Sequence, residues 1–353
     1  MRLSINMEHN KNAKQNNEKS SPQMAGGFSN KKGGIFSVIW NMKESGIIIP
    51  TIIYAVFVQL INPVFLSSLN LNNMLRQTGF ILIAAIGMTL VLIAGGLDLS
   101  VGSVLALGAV VSGICMVNLG LPIWIGVILG ILTGTLMGFI NGIIIIKFKI
   151  SPIIMTLGMM YIARGIVYVA TKGLSIYPMP AEFQAFEQGQ ILGVPTVIPF
   201  SFVIAIIFHI ILTRTVFGRS IYALGGNLDT ARLSGININK VMLLVYSLCG
   251  ALAALTGIVI SSRLGSAQPS AGEGYEMNVI AACIIGGTST FGGRGTILGT
   301  AIGAVFMSLL SNSLTMLKVD VYYQKLVIGV VLVLAVILDQ YKRELAKRSA
   351  TTR

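Results

Sequence analysis

The feature that most limits this chain is a succession of long apolar runs. They lie at 47–65, 79–96, 101–118, 122–146, 151–171, 196–213, 241–261, 277–288, 294–313 and 321–339. A helix needs about 20 mainly apolar residues to cross the hydrocarbon of a bilayer. Most runs reach that length, and 277–288 is short enough to be a half-helix or a re-entrant segment. The runs are continuously apolar and do not alternate, which favours spanning helices over a β-barrel. The expected fold is all-α: a polytopic transmembrane helix bundle of about ten spans, within a range of eight to eleven. Composition agrees. Only 10% of residues are charged and 54% are hydrophobic, whereas about 25% of a soluble chain is charged. An ordinary soluble enzyme, a disordered protein and a nucleic-acid-binding domain are excluded on that ground.

The net charge of +13 takes its meaning from its distribution. An even number of spans puts both termini on one side. With both in the cytoplasm, 19 of the Lys and Arg residues fall inside and four, Arg76, Lys172, Arg263 and Lys318, fall outside. That asymmetry fits the excess of positive charge in cytoplasmic loops. It divides the chain into a disordered basic cytoplasmic tail at 1–46, a membrane domain at 47–339 with a cytoplasmic loop at 214–240, and a basic cytoplasmic tail at 340–353. No apolar stretch follows the polar first 34 residues closely enough for a secretory signal. Cys115, Cys249 and Cys283 sit singly in apolar runs and the two histidines are isolated, so no metal site is expected.

Glycine is abundant and ordered. Gly126, Gly130, Gly134, Gly138 and Gly142 recur every fourth residue, as do Gly295, Gly299 and Gly303. Helices in lipid associate by close van der Waals approach, which small residues permit. Both rows read as packing surfaces. Residues 85–111 and 280–306 echo each other weakly: an apolar run, Gly-Gly, small polar residues, then a small-residue-rich apolar run.

Three glycine-bearing segments stand out. In the first, Gly95 and Gly96 end one helix, and Asp98 or Ser100 is expected to cap the next; contact with a substrate or movement during transport is the other reading of that carboxylate. In the second, Gly225-Gly226 breaks the chain, Asn227 or Asp229 caps a short helix running to Ser234, and Gly235 ends it. A capped helix in a cytoplasmic loop is a docking surface. The third, Gly286-Gly287 through Gly292-Gly293, superficially resembles a phosphate loop, but Gly293 and Arg294 stand where Lys and Ser or Thr are required. Nucleotide binding is rejected there, and a helix break is expected. No catalytic triad or paired catalytic carboxylates occur, and the chain carries no cofactor site or energy source of its own. Neutral hydrogen-bonding groups, Asn141, Thr156, Tyr161, Asn278, Thr288 and Asn312, are candidates to line a path for an uncharged hydroxylated solute. The same groups also tie helices together.

The sequences at 94–111 (AGGLDLSVGSVLALGAVV), 141–165 (NGIIIIKFKISPIIMTLGMMYIARG), 217–236 (FGRSIYALGGNLDTARLSGI) and 272–314 together resemble the ribose-type sugar permeases of bacterial ABC importers. The likeness spans roughly 79–339. It implies a cell-membrane permease subunit that moves a monosaccharide by alternating access. A second permease subunit, identical or paralogous, would sit beside it in the bilayer. A cytoplasmic ATPase would bind ATP and Mg, and an external substrate-binding protein would deliver the sugar. By the same resemblance, Gly218, Arg219, Tyr222, Gly225, Gly226, Asn227, Ala231, Ser234 and Gly235 would contact the ATPase. Gln268, Glu273, Tyr275 and Glu276, in an external loop, would meet the binding protein. The alternatives on the residues alone are an ion-coupled secondary transporter or a passive channel. The absence of acidic residues deep within spans argues against the first, and the packed glycine rows argue against a wide pore.

Overall fold

The structure is a computed structural model, and it describes residues 45–351 except residue 192. The expected N-terminal tail lies outside the described residues up to residue 44. The described chain is helical almost throughout: α1 Ser45–Ile61, α2 Ser68–Ile93, α3 Val101–Gly113 extended by a π-helical turn Ile114–Asn118, α4 Ile123–Phe148, α5 Pro152–Thr171 and α6 Ala181–Gln188. A two-residue antiparallel hairpin follows, β1 Gln190–Ile191 with β2 Val194–Pro195. Then come α7 Val197–Arg214, α8 Val216–Gly226, α9 Leu228–Leu233, α10 Ile238–Leu264, α11 Tyr275–Ile285, α12 Ile297–Met316 and α13 Val321–Thr351.

Eight of these helices are long and apolar enough to cross a membrane; α1 and α11 are apolar but shorter. The run at 277–288 is thus the short helix its length implied. Helix α2 starts at Ser68, well before its apolar run, because its polar first turns find partners. Asn70 and Asn312 exchange side-chain amide hydrogen bonds of 2.9 Å, and Ser308 Oγ donates to the Met74 carbonyl at 2.7 Å. Helix α13 continues past residue 339 through the C-terminal basic segment.

The bundle has an inner and an outer layer. In the apolar stretch of α2, 89% of residues are buried; in α4, α5 and α7 the share is 22%, and in α13 it is zero. Helices α2, α3 and α10 form the centre. The glycine row on α4 explains how an outer helix comes close to that centre. Gly126, Gly130, Gly134, Gly138 and Gly142 are all buried on one side. A Cβ on Gly138 would collide with the Tyr246 carbonyl, and one on Gly130 would lie 2.7 Å from the Gly108 carbonyl. The row therefore packs backbone against backbone on α10 and α3, as small residues allow in lipid. On α12, Gly299 and Gly303 do the same against Gly286 and Ala282. Gly295, placed in that row by spacing, lies before the helix, which begins at Ile297.

Candidate functional site

Helices α2 and α11 end in the same way. Gly95 N–H donates to Leu92 and Gly96 N–H to Val91; Gly287 N–H donates to Ile284 and Thr288 N–H to Cys283. Gly95 and Gly287 take φ of +83° and +86°. This is the left-handed glycine cap, which satisfies carbonyls that water cannot reach. Both expected helix breaks are present.

The breaks meet each other and the second glycine segment at one end of the bundle. Gly293 N–H donates to the Ile93 carbonyl at 2.8 Å, joining the end of α2 to the loop after α11. Gly225, in the last turn of α8, fits against both. A Cβ there would collide with the Ile93 carbonyl and lie 2.6 Å from Gly293 N. On Gly292, a Cβ would lie 3.0 Å from the Cα atoms of Gly225 and Gly95. Tyr222 Oη donates to the Gly295 carbonyl at 2.7 Å, and Asp339 of α13 accepts from Thr290 N and Oγ1 at 3.3 Å. Burial pushes the Tyr222 hydroxyl above its usual range, so it stays a neutral donor. Three segments far apart in sequence thus form one backbone junction.

Beyond the junction, α9 is the short capped helix read from the sequence. Asn227 Oδ1 accepts from Thr230 N at 2.9 Å, and Gly235 takes φ +77° just past its end. The helix exposes Leu228, Asp229, Arg232 and Leu233 and buries Ala231; Arg219, Asn227, Ser234 and Gly235 are exposed beside it, and Gly218 is buried. A Cβ on Gly218 would be crowded by the Ile211 and Leu212 carbonyls, which sets the turn from α7 into α8.

The chain crosses from α2 to α3 through a buried polar network. Asp98 Oδ1 accepts from Ser100 N at 2.9 Å and from Ser100 Oγ, and Asn141 Nδ2 donates to Ser100 Oγ at 3.2 Å. Thr156 Oγ1 accepts from Leu99 N at 3.1 Å and donates to the Pro152 carbonyl. The expected cap is corrected here. Ser100 holds the N-cap position, but its backbone is αR (φ −80°, ψ −8°) and its hydroxyl turns back to Asp98, so no side chain caps α3. Asp98 is 1% exposed. Burial pushes its carboxyl above the usual range, opposed by hydrogen bonds from Ser100 and Cys249.

This crossing walls a cavity of about 370 Å³. Gly95 to Leu97 and Leu99 form one side; the start of α5 at Ser151–Ile153, one face of α11 (Met277, Ile280, Ile284) and Leu332 and Val336 of α13 form the others. The candidate path residues do not converge on it. Asn141 and Thr156 stand behind its wall, and Asn312 is held by Asn70. Tyr161 is 71% exposed on α5. Asn278 Oδ1 and Thr288 Oγ1 are buried without a partner.

In the loop before α11, Glu273 is exposed, Gln268 is half-buried, and Tyr275 and Glu276 lie deeper, with Glu276 against the first turn of α3 at Gly102 and the Tyr275 hydroxyl buried. Arg164, a charge within α5, holds this loop. Its guanidinium donates to the carbonyls of Pro269 (2.6 Å), Ala271 (2.8 Å) and Gly102 (3.3 Å). Tyr168 Oη donates to Glu273 at 2.8 Å. Nearby, Arg76 pairs with Glu187 of α6 at 3.0 Å. Burial pushes Glu187 above the usual carboxylate range, and Arg76 and Arg263 pull it back. No group of three or more His, Cys, Asp or Glu that could hold a metal occurs among the described residues.

A bundle of apolar helices with two facing breaks, a cavity beside them and an exposed capped helix at the same end defines a membrane transport subunit. Its sequence matches the family described as the branched-chain amino acid transport system permease component over residues 70–336. The chain belongs to that family. It is 43% identical to the ribose import permease protein RbsC of Haemophilus influenzae, covering 83% of this chain and 92% of that one. The Escherichia coli K12 protein of the same name is also 43% identical (87% and 97%), and the Bacillus subtilis one 43% (85% and 94%). The D-allose transport system permease protein AlsC of Escherichia coli is 37% identical, covering 88% and 95%. No solved structure matches the chain.

Proposed function

We propose that this chain is the membrane-spanning permease subunit of a bacterial ABC importer that takes up a monosaccharide of the ribose type. It is a transport subunit and not an enzyme. The family label names amino acids, but the similar relatives include ribose, allose, arabinose and xylose permeases. Hydroxylated, uncharged solutes are the common thread, and the lack of cationic or anionic groups around the cavity agrees with it.

Ten passes, with both termini in the cytoplasm, bring the junction and α9 to the cytoplasmic side, where the Lys and Arg excess lies. ATP, with Mg, is bound and hydrolysed on a separate ATPase that docks on α8 and α9 through Gly218, Arg219, Tyr222, Gly225, Gly226, Asn227, Ala231, Ser234 and Gly235. The observation that carries this reading is the contact of Gly225 with both helix breaks. A push on α9 reaches Ile93 and Gly293 directly, and from there the cavity wall at 95–99, so the spans rock between outward and inward access. A second permease copy or close paralogue completes the path within the bilayer. The substrate-binding protein docks at the opposite end, where Glu273 and Gln268 are within reach.

Gly235→Pro tests the docking. Proline fixes φ near −65°, against the +77° seen here. The variant chain is expected to reach the membrane, to lose co-purification with the ATPase, and to lose sugar uptake. Normal co-purification and uptake would refute α9 as the docking element.

A further inference from the structure

Asp98 has no role in the docking or in the cavity lining, yet it is only 1% exposed and, unlike the buried Glu187, is paired with no cation among the described residues. Its neighbours Leu97 and Leu99 face the cavity, while its own side chain turns into the core. The groups around it come from four elements: Ser100 from its own crossing, Asn141 from α4, Thr156 from α5, and Tyr246 and Cys249 from α10. None is a cation. Among the described residues the one ion pair is Arg76–Glu187, at the other end of the bundle. An ionised carboxylate enclosed in this way, without a countercharge, is strongly disfavoured.

The hydrogen bonds that Asp98 accepts from Ser100 favour the charged form and offset part of that cost. It is the next group of the network that requires a proton. Ser100 Oγ gives its proton to Asp98 and accepts from Asn141 Nδ2, so it has no proton left for Asn141 Oδ1. Tyr246 Oη is turned to the Leu97 carbonyl at 3.4 Å. Asn141 is 0% exposed, and its Oδ1 is a buried acceptor with no donor. Buried acceptors are almost always paired. The network holds one acceptor without a donor, and among its groups the Asp98 carboxyl is the one that can take up a proton.

We propose that Asp98 is a neutral carboxylic acid whose proton completes the Asp98–Ser100–Asn141 network, and that this network positions the 95–99 crossing as a wall of the cavity. Asp98 is a positioning residue for transport. It ties α4 to the crossing through Ser100, and Thr156 ties α5 to the same crossing one residue away. A neutral acid holds that place without drawing a cation or water into the bundle, and it neither takes up nor releases a proton during transport.

The test uses the assembled importer in proteoliposomes with its ATPase and binding protein. Asp98→Asn keeps the shape and supplies a donor without the charge; Asp98→Ala removes both. Asp98→Asn is expected to reach normal abundance and to transport at a near wild-type rate, with a pH profile that superimposes on the wild type. Asp98→Ala is expected to lose on the order of tenfold in rate, as the loss of a buried hydrogen-bonding group implies, or to fail to accumulate. Infrared spectra of the wild-type complex at neutral pH are expected to show the carbonyl stretch of a protonated acid that Asp98→Asn removes. Loss of abundance or of transport in Asp98→Asn would overturn the proposal, because an ionised carboxylate would then be required. Normal transport in Asp98→Ala would overturn the positioning role. Absence of the infrared difference would overturn the neutral acid.

Discussion

The crossings from α2 to α3 and from α11 to α12 begin alike and then diverge. Each leaves its helix through a left-handed glycine, at Gly95 and Gly287. The first is then held by side chains: Asp98 and Ser100 of the crossing, Asn141 and Thr156 of its neighbours. The second is held mainly by backbone, through Gly292 and Gly293 against Gly95, Gly225 and Ile93, and it restarts α12 with a cap from Thr296. One crossing is pinned by side chains and the other by bare backbone, and Gly225 of α8 meets the ends of both. The weak echo of 85–111 in 280–306 is thus a shared helix ending with two different uses.

That contrast can be broken most severely at Gly225, which touches both crossings. Gly225→Val is expected to abolish uptake while the ATPase still binds, because its Cβ meets only backbone, which cannot turn aside. Uptake and co-purification in reconstituted importer measure both. Next, Gly292→Ala and Gly287→Ala separate crowding from backbone strain. Both have φ +86°, but only Gly292 has neighbours at 3.0 Å or less. Gly287→Ala is expected to lower stability by about 1 kcal/mol, the cost of a left-handed non-glycine residue. Gly292→Ala should lower it further and impair uptake. Equal melting temperatures for the two would contradict the packed junction.

A smaller effect is expected at Thr296, whose Oγ1 accepts from Gly299 N at 2.9 Å. Thr296→Ala should lower stability by about 1 kcal/mol through the lost cap, read as a lower melting temperature in detergent. The smallest effect lies far from both crossings, at Glu187. Its carboxyl is raised above the ordinary value of 4.5, so folding favours the protonated form. That contribution is full below the ordinary value and is lost as pH rises through the raised one. The melting temperature should therefore fall as pH climbs from acid toward neutral, and Glu187→Gln should flatten that slope.

Much of the fold was legible because lipid imposes a simple rule: long, continuously apolar runs become helices. The ends of α2 and α11 were legible from Gly-Gly, and α9 from Asn227 and Gly235, since caps are local chemistry. What was not legible is long-range. Nothing in the spacing of Gly95, Gly225 and Gly292 says that they meet. The cap expected from Asp98 or Ser100 is missing at Ser100, whose hydroxyl donates to Asp98 instead. Helix α6 and its hairpin went unread because they rest on distant partners, such as Ser262 Oγ donating to the Phe183 carbonyl at 2.6 Å and the bridge between Ile176 and Ala267. Arg164 lies within an apolar run, but its three carbonyl partners belong to segments about sixty and a hundred residues away.

A joint lined by side chains has slack, because rotamers can yield before the main chain moves. Gly225, Gly292 and Gly95 have no rotamers. The contact of Gly225 with Ile93 and Gly293 is main chain on main chain, so a shift of α8 there meets no side-chain torsion that could absorb it.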